Sequence, residues 1–326
     1  MIRKLFLALL PLAFATPTAT MAADAADAYP SSPINIIAPF PPGGGTDSMT
    51  RLVSTHLAQS TGWNVIAENR AGAGGTIGIA SAARATPNGY QLVMGQVDNL
   101  AVAPWLYPNL SYDSVKDFAP IVNVAGTSVI IVTRADSPYK TLEDMIKAAK
   151  EKPGSIDYGS PGAGTITHLA AVLLQEQAGI TLQHVPYKGS APAMADLLSG
   201  QVPILFTSLP SAFGQLKAGS IRALAVTSSK RSAIAPDVPT VAERGYKDFD
   251  VTVWYGLLAP AGTPDAIVQK VNAEMNKILA TDEMKKAMGA QGAEPLGGTS
   301  AEFAKTIERD RKKWGPIVEA SGAKTK

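Results

Sequence analysis

Three glycine-rich loops hold the residue pattern best suited to chemistry in this chain of 326 residues. They read PFPPGGGTD at 39–47, AGAGGTIG at 71–78 and SPGAGT at 160–165, and each precedes residues of helical character. Glycine lets a backbone approach a solute closely and adopt positive φ, so successive N–H groups can converge on an anion. A helix N-terminus beyond the loop adds unpaired N–H groups and a partial positive charge. A hydrogen bond to a charged group contributes about 1.5–3 kcal/mol net, and micromolar affinity needs about −8 kcal/mol. Four or five such donors reach that range after the cost of closing a cleft. The expectation is that the loops bind a carboxylate without an arginine clamp. The donors would come from Gly43, Gly44, Gly45, Thr46 and Asp47, from residues 71–78 and from residues 160–165. His168, in the first turn of the third helix, reads equally as a cleft donor or a packing residue.

Other readings of the same residues narrow the field. Glycine turns before helices also have a purely structural use, and Thr46 and Thr165 are expected as helix N-caps in either case. Asp47 could answer the helix dipole or touch a ligand, and both stay open. Asp98 and Asn99, after the apolar run YQLVMGQ, are placed to reach a cleft mouth with no role assigned. A dinucleotide site is disfavoured, because GAGGTIG misses G-x-G-x-x-G by one residue and no acidic ribose partner is evident. The chain has neither a G-x-x-x-x-G-K-[ST] P-loop nor a G-x-S-x-G nucleophile elbow. It has no cysteine, which removes thiol catalysis and thiolate metal sites, and its three histidines (His56, His168, His184) lie far apart in sequence. No catalytic residue, cofactor or metal is therefore expected. Lys plus Arg is 29 against 27 for Asp plus Glu, a net charge of +2 that argues against nucleic acid as a partner.

The elements that must position these loops alternate. INIIAPF, NVIAEN and YQLVMGQ read as strands, with SMTRLVSTHLAQ and an Ala-rich segment at 77–85 as the helices between them. TLEDMIKAAKEKPG is a helix with its own stop signal, and IDYGS, TLQHV, PILFTS, IRALAVTS and VWYGLLAP are further strands. The reading is α/β with mainly parallel sheets and helices on both faces. One echo organises the chain: a strand, a Gly-rich loop, a Thr and a helix occur near the start and again some 120 residues later. Ligands of open α/β sheets bind beyond the carboxyl ends of strands, so two such loops could close on one ligand from opposite sides. The apolar segments 129–134 and 253–260 look like crossings between the halves. That assigns residues 29–127 plus 254–326 to one domain and 128–253 to an inserted second.

Residues 1–28 have the layout of a secretory signal peptide. Arg3 and Lys4 precede an apolar run from Leu5 to Phe14, and small residues follow, with competing cleavage sites between Ala22 and Ala28. The run is too short to span a bilayer, which takes about 20 apolar residues, and it contains Pro11. A soluble protein exported to a bacterial periplasm is expected.

The ordered motifs PFPPGGGTD, ENRAGAGGTIG, LYPNLSYDSVKDFAPI, SPGAGTITHLA, HVPYKGSAPAMADLLSGQV, IRALAVTSSKR, PDVPTVAERGY and WYGLLAPAGTP cover nearly all of the mature chain. Together they resemble the periplasmic substrate-binding receptors of tripartite tricarboxylate transporters, also called the Bug or TctC-like family. The resemblance implies a type II periplasmic-binding-protein fold, two doubly wound α/β domains joined by two crossing strands in a Venus-flytrap arrangement. It further implies a non-enzymatic receptor that binds a small organic carboxylate and hands it to integral-membrane permease subunits. A monomer is expected, and the alternatives are a ligand sensor for a signalling partner on the same fold or a secreted hydrolase or isomerase. By matching motif positions, Gly44, Gly45, Thr46 and Asp47, with Ala73, Gly74 and Gly75, would grip one carboxylate. Gly162, Ala163, Thr165 and His168, with Thr207 and Ser208 at the end of PILFTS, would set specificity. One departure is that Ala163–Gly164–Thr165 stands where the family commonly has a Gly-Ser type sequence.

Overall fold

The computed structural model describes residues 28–321; the signal-peptide reading falls almost wholly outside them. The first strand, β1 (Ile34–Ala38), is buried at four of its five residues, as a central strand flanked on both sides should be. Helix α1 (Gly45–Thr61) follows, burying Met49, Val53 and Leu57 on one stripe and ending at Gly62 in the left-handed conformation. Then come β2 (Val65–Asn69), a short turn of helix at Ala73–Gly75, α2 (Thr76–Ala83) and β3 (Gln91–Gln96). A wide helical turn at Asp98–Val102 leads into the short α3 (Ala103–Leu106).

Strand β4 (Phe118–Arg134) runs for 17 residues and belongs to two sheets. Beyond it lie α4 (Leu142–Glu151), opened by a capping box of Thr141 and Asp144, β5 (Asp157–Ser160), α5 (Ile166–Ala178), β6 (Gln183–Pro186), α6 (Ser190–Ser199), β7 (Ile204–Ser208), α7 (Leu209–Lys217) and β8 (Ile221–Val226). The chain returns through β9 (Thr252–Pro260) to α8 (Asp265–Ala280), α9 (Asp282–Gly289), β10 (Glu294–Gly297) and α10 (Ser300–Ser321).

The strand order is β2-β1-β3-β9-β4-β7-β5-β6, with β10 and β8 also on β4. The leading part of β4, from Phe118 to Ser128, pairs with β9. Its remainder pairs with β7 and β8. Between named strands, parallel pairing joins β1 with β2 and β3, and β5 with β6 and β7, and one isolated parallel bridge links Val226 to Thr240. Every pair that includes β4 or β9 is antiparallel. The expectation of mainly parallel sheets is therefore corrected to mixed ones. The segment 118–128 escaped notice as strand because Pro120, Gly126 and two register shifts interrupt its pattern.

One large apolar core continues from the first sheet across β4 to α5 and includes Leu169, Leu174 and Tyr158. A smaller core on the other face of the second sheet joins Leu197 of α6, Leu205 of β7 and Phe213 of α7. Helices thus cover both faces of the second sheet, and its loops are held from both sides.

Candidate functional site

Two helix N-termini face one cavity. At α1 the cap position is Gly44, in ordinary extended conformation, and no side chain caps the helix. Thr46, expected as the cap, instead donates from its hydroxyl to Gln96 Oε1 at 2.8 Å. At α5 the cap is Thr165, whose hydroxyl accepts from the His168 amide at 3.4 Å and donates to the Gly162 carbonyl at 2.8 Å. A helix leaves its first amides without intrahelical partners, so both helices direct N–H groups at the space between them.

That space is a cleft of about 470 Å³, the open solvent at its mouth included. Gly44, Gly45 and Thr46 line it from the first loop, Thr165, Ile166 and Thr167 from the start of α5, and Gly189 and Ser190 from the start of α6. Ser208 at the end of β7, Tyr255 of β9, Gln96 at the end of β3 and Asp98 just beyond it complete the polar wall, with Phe40, Pro41, Pro161 and Val253 as its apolar part. A smaller hollow adjoins, sharing Asp98 and Thr165 and lined also by Gly74, Ala163, Leu106 and Tyr107. Among the described residues lining the two, none is Lys, Arg or His.

The walls touch where glycine permits it. The Gly45 amide donates to Ser211 Oγ at 3.1 Å, and Ser211 Oγ lies 2.9 Å from Ser208 Oγ. A Cβ on Gly45 would overlap the Tyr255 hydroxyl and sit 2.9 Å from Ser208 Oγ. On the other side, Gly164 has φ +74, and a Cβ there would overlap Leu106.

Several expected site residues support the loops from behind. Asp47 is buried outside the cavity lining, accepting from the Gly43 amide at 3.0 Å, Arg51 Nε at 2.9 Å and Asn69 Nδ2 at 2.8 Å. Burial alone would raise its pKa, but these bonds outweigh it and hold the carboxyl below its ordinary range. His168 accepts from the Gly164 amide at Nδ1, 3.0 Å away, and its ring stacks on His184 with centroids 4.0 Å apart. His184 in turn meets Ser160 Oγ at 2.7 Å and stacks on Tyr158. Burial pushes the His168 pKa down to about 4 and that of His184 to about 3, with His168 lowering the latter further. Both rings are therefore neutral near pH 7, and together they brace the loop 160–165.

Of the second loop, Gly74 reaches the adjoining hollow. Gly75 is buried where a Cβ would press on Phe40, and Ala73 holds a positive φ of 46° in the turn before it. Gly162 contributes its carbonyl to Thr165 and Ser160. Thr207 is fully buried in β7, beside the cavity-lining Ser208.

Sequence reasoning missed Gln96, Ser190, Ser211 and Tyr255, and left Asp98 without a role. Asp98 is 7% exposed, accepts from the Ile166 amide at the start of α5, and accepts from Gln96 Nε2 at 2.6 Å. Burial raises its pKa to about 7, against the Ile166 amide, which favours the ion. Its signal was available: a polar residue just past the carboxyl end of an apolar strand stands at the ligand-facing edge of an α/β sheet.

Comparison with known proteins adds the lineage. Residues 49–323 match the family described as tripartite tricarboxylate transporter family receptor. The chain is 36% identical over 302 residues to protein BugT of Bordetella pertussis, covering 92% of this chain and 93% of that one. An R. palustris structure with adipate superposes with a TM-score of 0.87 at 31% identity, covering 90% of this chain and 98% of the other. MatC from Rhodopseudomonas palustris with bound malate superposes with a TM-score of 0.82 at 29% identity, covering 89% and 100%.

Proposed function

The chain belongs to the tripartite tricarboxylate transporter receptor family, and from that premise we propose that it is a periplasmic receptor for a small organic carboxylate. The observation that carries this reading is the pair of helix N-termini facing one cavity without a basic side chain among its described lining residues. Amide and hydroxyl donors then have to supply the attraction for an anion. Two structural relatives hold adipate and malate, both small organic carboxylates, which supports a carboxylate ligand without fixing its other end.

The first loop is the anchor in this reading: the amides of Gly44, Gly45 and Thr46 hold one carboxylate, with Tyr255 able to add a hydroxyl donor. Gly74 approaches from the second loop. Asp47, Ala73, Gly75, Gly162 and His168 keep the loops in shape, while Ala163, Thr165, Thr207 and Ser208 bound the ligand from the other lobe. The lobes are residues 29–127 plus 254–326, and 128–253. Closure bends the chain where β4 passes from one sheet to the other near Ser128, and where it enters β9 near Thr252 and Val253. A ligand that touches both lobes favours the closed form by its differential affinity for it.

The receptor carries no chemistry of its own. It works as a monomer, follows export on the signal at its start, and passes its ligand to integral-membrane permease subunits. Among the described residues, no helix is long and apolar enough to cross a membrane. A thermal-shift screen over organic acids tests the reading, because binding to the folded state raises the melting temperature by mass action. One or more acids should raise it in a dose-dependent way. A full panel without any shift would count against the proposal.

A further inference from the structure

The two poles of the cavity are wired together by a relay of protein hydrogen bonds. Thr46 Oγ1 donates to Gln96 Oε1 at 2.8 Å, Gln96 Nε2 donates to Asp98 at 2.6 Å, and Asp98 accepts from the Ile166 amide. The relay therefore ends on the helix N-terminus of the second lobe, where a dicarboxylate would be expected to place its remote carboxylate. A carboxylate of the protein already stands there. It cancels the partial positive charge of α5, and the remaining lining offers no Lys, Arg or His to offset it. Two donors also leave acceptor capacity on Asp98, since an ionised carboxylate offers about four lone-pair sites.

We propose that Asp98 sets the ligand class: the carboxylate held at the first loop must carry a hydrogen-bond donor, an ammonium, amide or hydroxyl, at its other end and not a second carboxylate. This rests on the receptor reading above and sharpens it. A donor at that end finds an acceptor in a water-poor pocket. A second anion meets a like charge with no cation to balance it, and desolvation strengthens that repulsion. The neighbouring groups that face Asp98 are Gln96, Thr165, Tyr107 and Tyr255, and they include no competing charge at neutral pH.

The test is calorimetric titration of the exported chain, in mildly alkaline buffer, with straight-chain dicarboxylates from succinate to adipate. Each is set beside its half-amide and its ω-amino acid. The expected result is that, at the best chain length, an amide or ammonium form binds at least about tenfold more tightly than the dicarboxylate. In Asp98→Asn the dicarboxylate should gain and the ω-amino acid lose, so that most of this gap closes, while the half-amide changes little. The wild-type series needs no variant and stands even where Asp98→Asn folds poorly. A dicarboxylate that equals or outbinds its half-amide in the wild type would overturn the assignment of Asp98 while leaving the receptor reading intact. Binding of none of the series, at any chain length, would count against both.

Discussion

The two helix N-termini that meet at the cavity share one sequence pattern and differ in what completes it. Both follow a strand, a Gly-rich loop and a Thr. At α1 the Thr lies inside the helix and turns sideways to Gln96, so the end of the helix is open and its Gly45 amide meets only a hydroxyl, that of Ser211. At α5 the Thr is a true cap, His168 and His184 brace the loop, and the Ile166 amide is taken by a carboxylate. At the first end a protein carboxylate, Asp47, takes the Gly43 amide ahead of the helix and lies outside the cavity lining, whereas at the second a carboxylate takes an amide of the helix itself. The lesson is that a glycine loop before a helix announces available amides, while the side chains that arrive from elsewhere decide what those amides bind.

The largest break in this comparison should come from Gly45. A side chain there collides with Tyr255 and Ser208, so Gly45→Val should reduce affinity for every ligand by about a hundredfold or more, since each factor of ten is about 1.4 kcal/mol. Calorimetry reads this directly, and selective loss for some ligands would contradict an anchoring role. Asp98 gives the next effect. Its pKa of about 7 in the folded state is far above its ordinary value of 3.8. A dicarboxylate's handicap should therefore shrink as pH falls through about 7, when Asp98 takes up a proton and can donate. Affinity for the dicarboxylate should rise by up to about tenfold over that range, and in Asp98→Asn the profile should be flat.

Stability sharpens the contrast, because the two regions respond to pH with opposite signs. Raised as it is, Asp98 binds a proton in the fold where the unfolded chain does not, so its contribution is lost as pH rises from about 4 to about 7. The histidine pair is depressed, to about 4 and about 3, so its contribution is complete above about 6.5 and is lost as pH falls towards those values. In denaturation at a series of pH values, Asp98→Asn should steepen the loss of stability on acidification, and His168→Gln should flatten it. The same slope in both variants would contradict the division. The smallest effect is that of Thr165→Ala, which removes a cap and should cost about 1 kcal/mol by chemical denaturation.

The alternation of strands and helices was legible because each apolar run is bounded by its own glycine or proline signal, as at INIIAPF and PILFTS. The long β4 was not, because the strand shared by both sheets carries Pro120, Gly126 and register shifts that break its period. Pairing direction was likewise invisible, since antiparallel β4 and β9 sit between elements whose local pattern suits a parallel sheet. Within the candidate site, the glycines of the first loop were legible as a run before a helix, and close approach at Gly45 is what uses one of them. Gln96 and Tyr255, which line the cavity, and Ser211, which meets the Gly45 amide, were not, because they arrive through long-range packing and nothing local distinguishes them from ordinary strand and helix residues. Asp98 was visible as a position and opaque as a role, which only its contact with Ile166, far along the chain, supplies.

The central claim is that open main-chain amides at the first loop hold a carboxylate and thereby bring the lobes together. Titration of the best-binding acid against its own methyl ester at that carboxylate, followed by calorimetry, tests it most directly. Affinity should fall by about a hundredfold or more on esterification, because charge-assisted bonds contribute about 1.5–3 kcal/mol each and several are lost at once. An ester that binds as tightly as the acid would contradict the account.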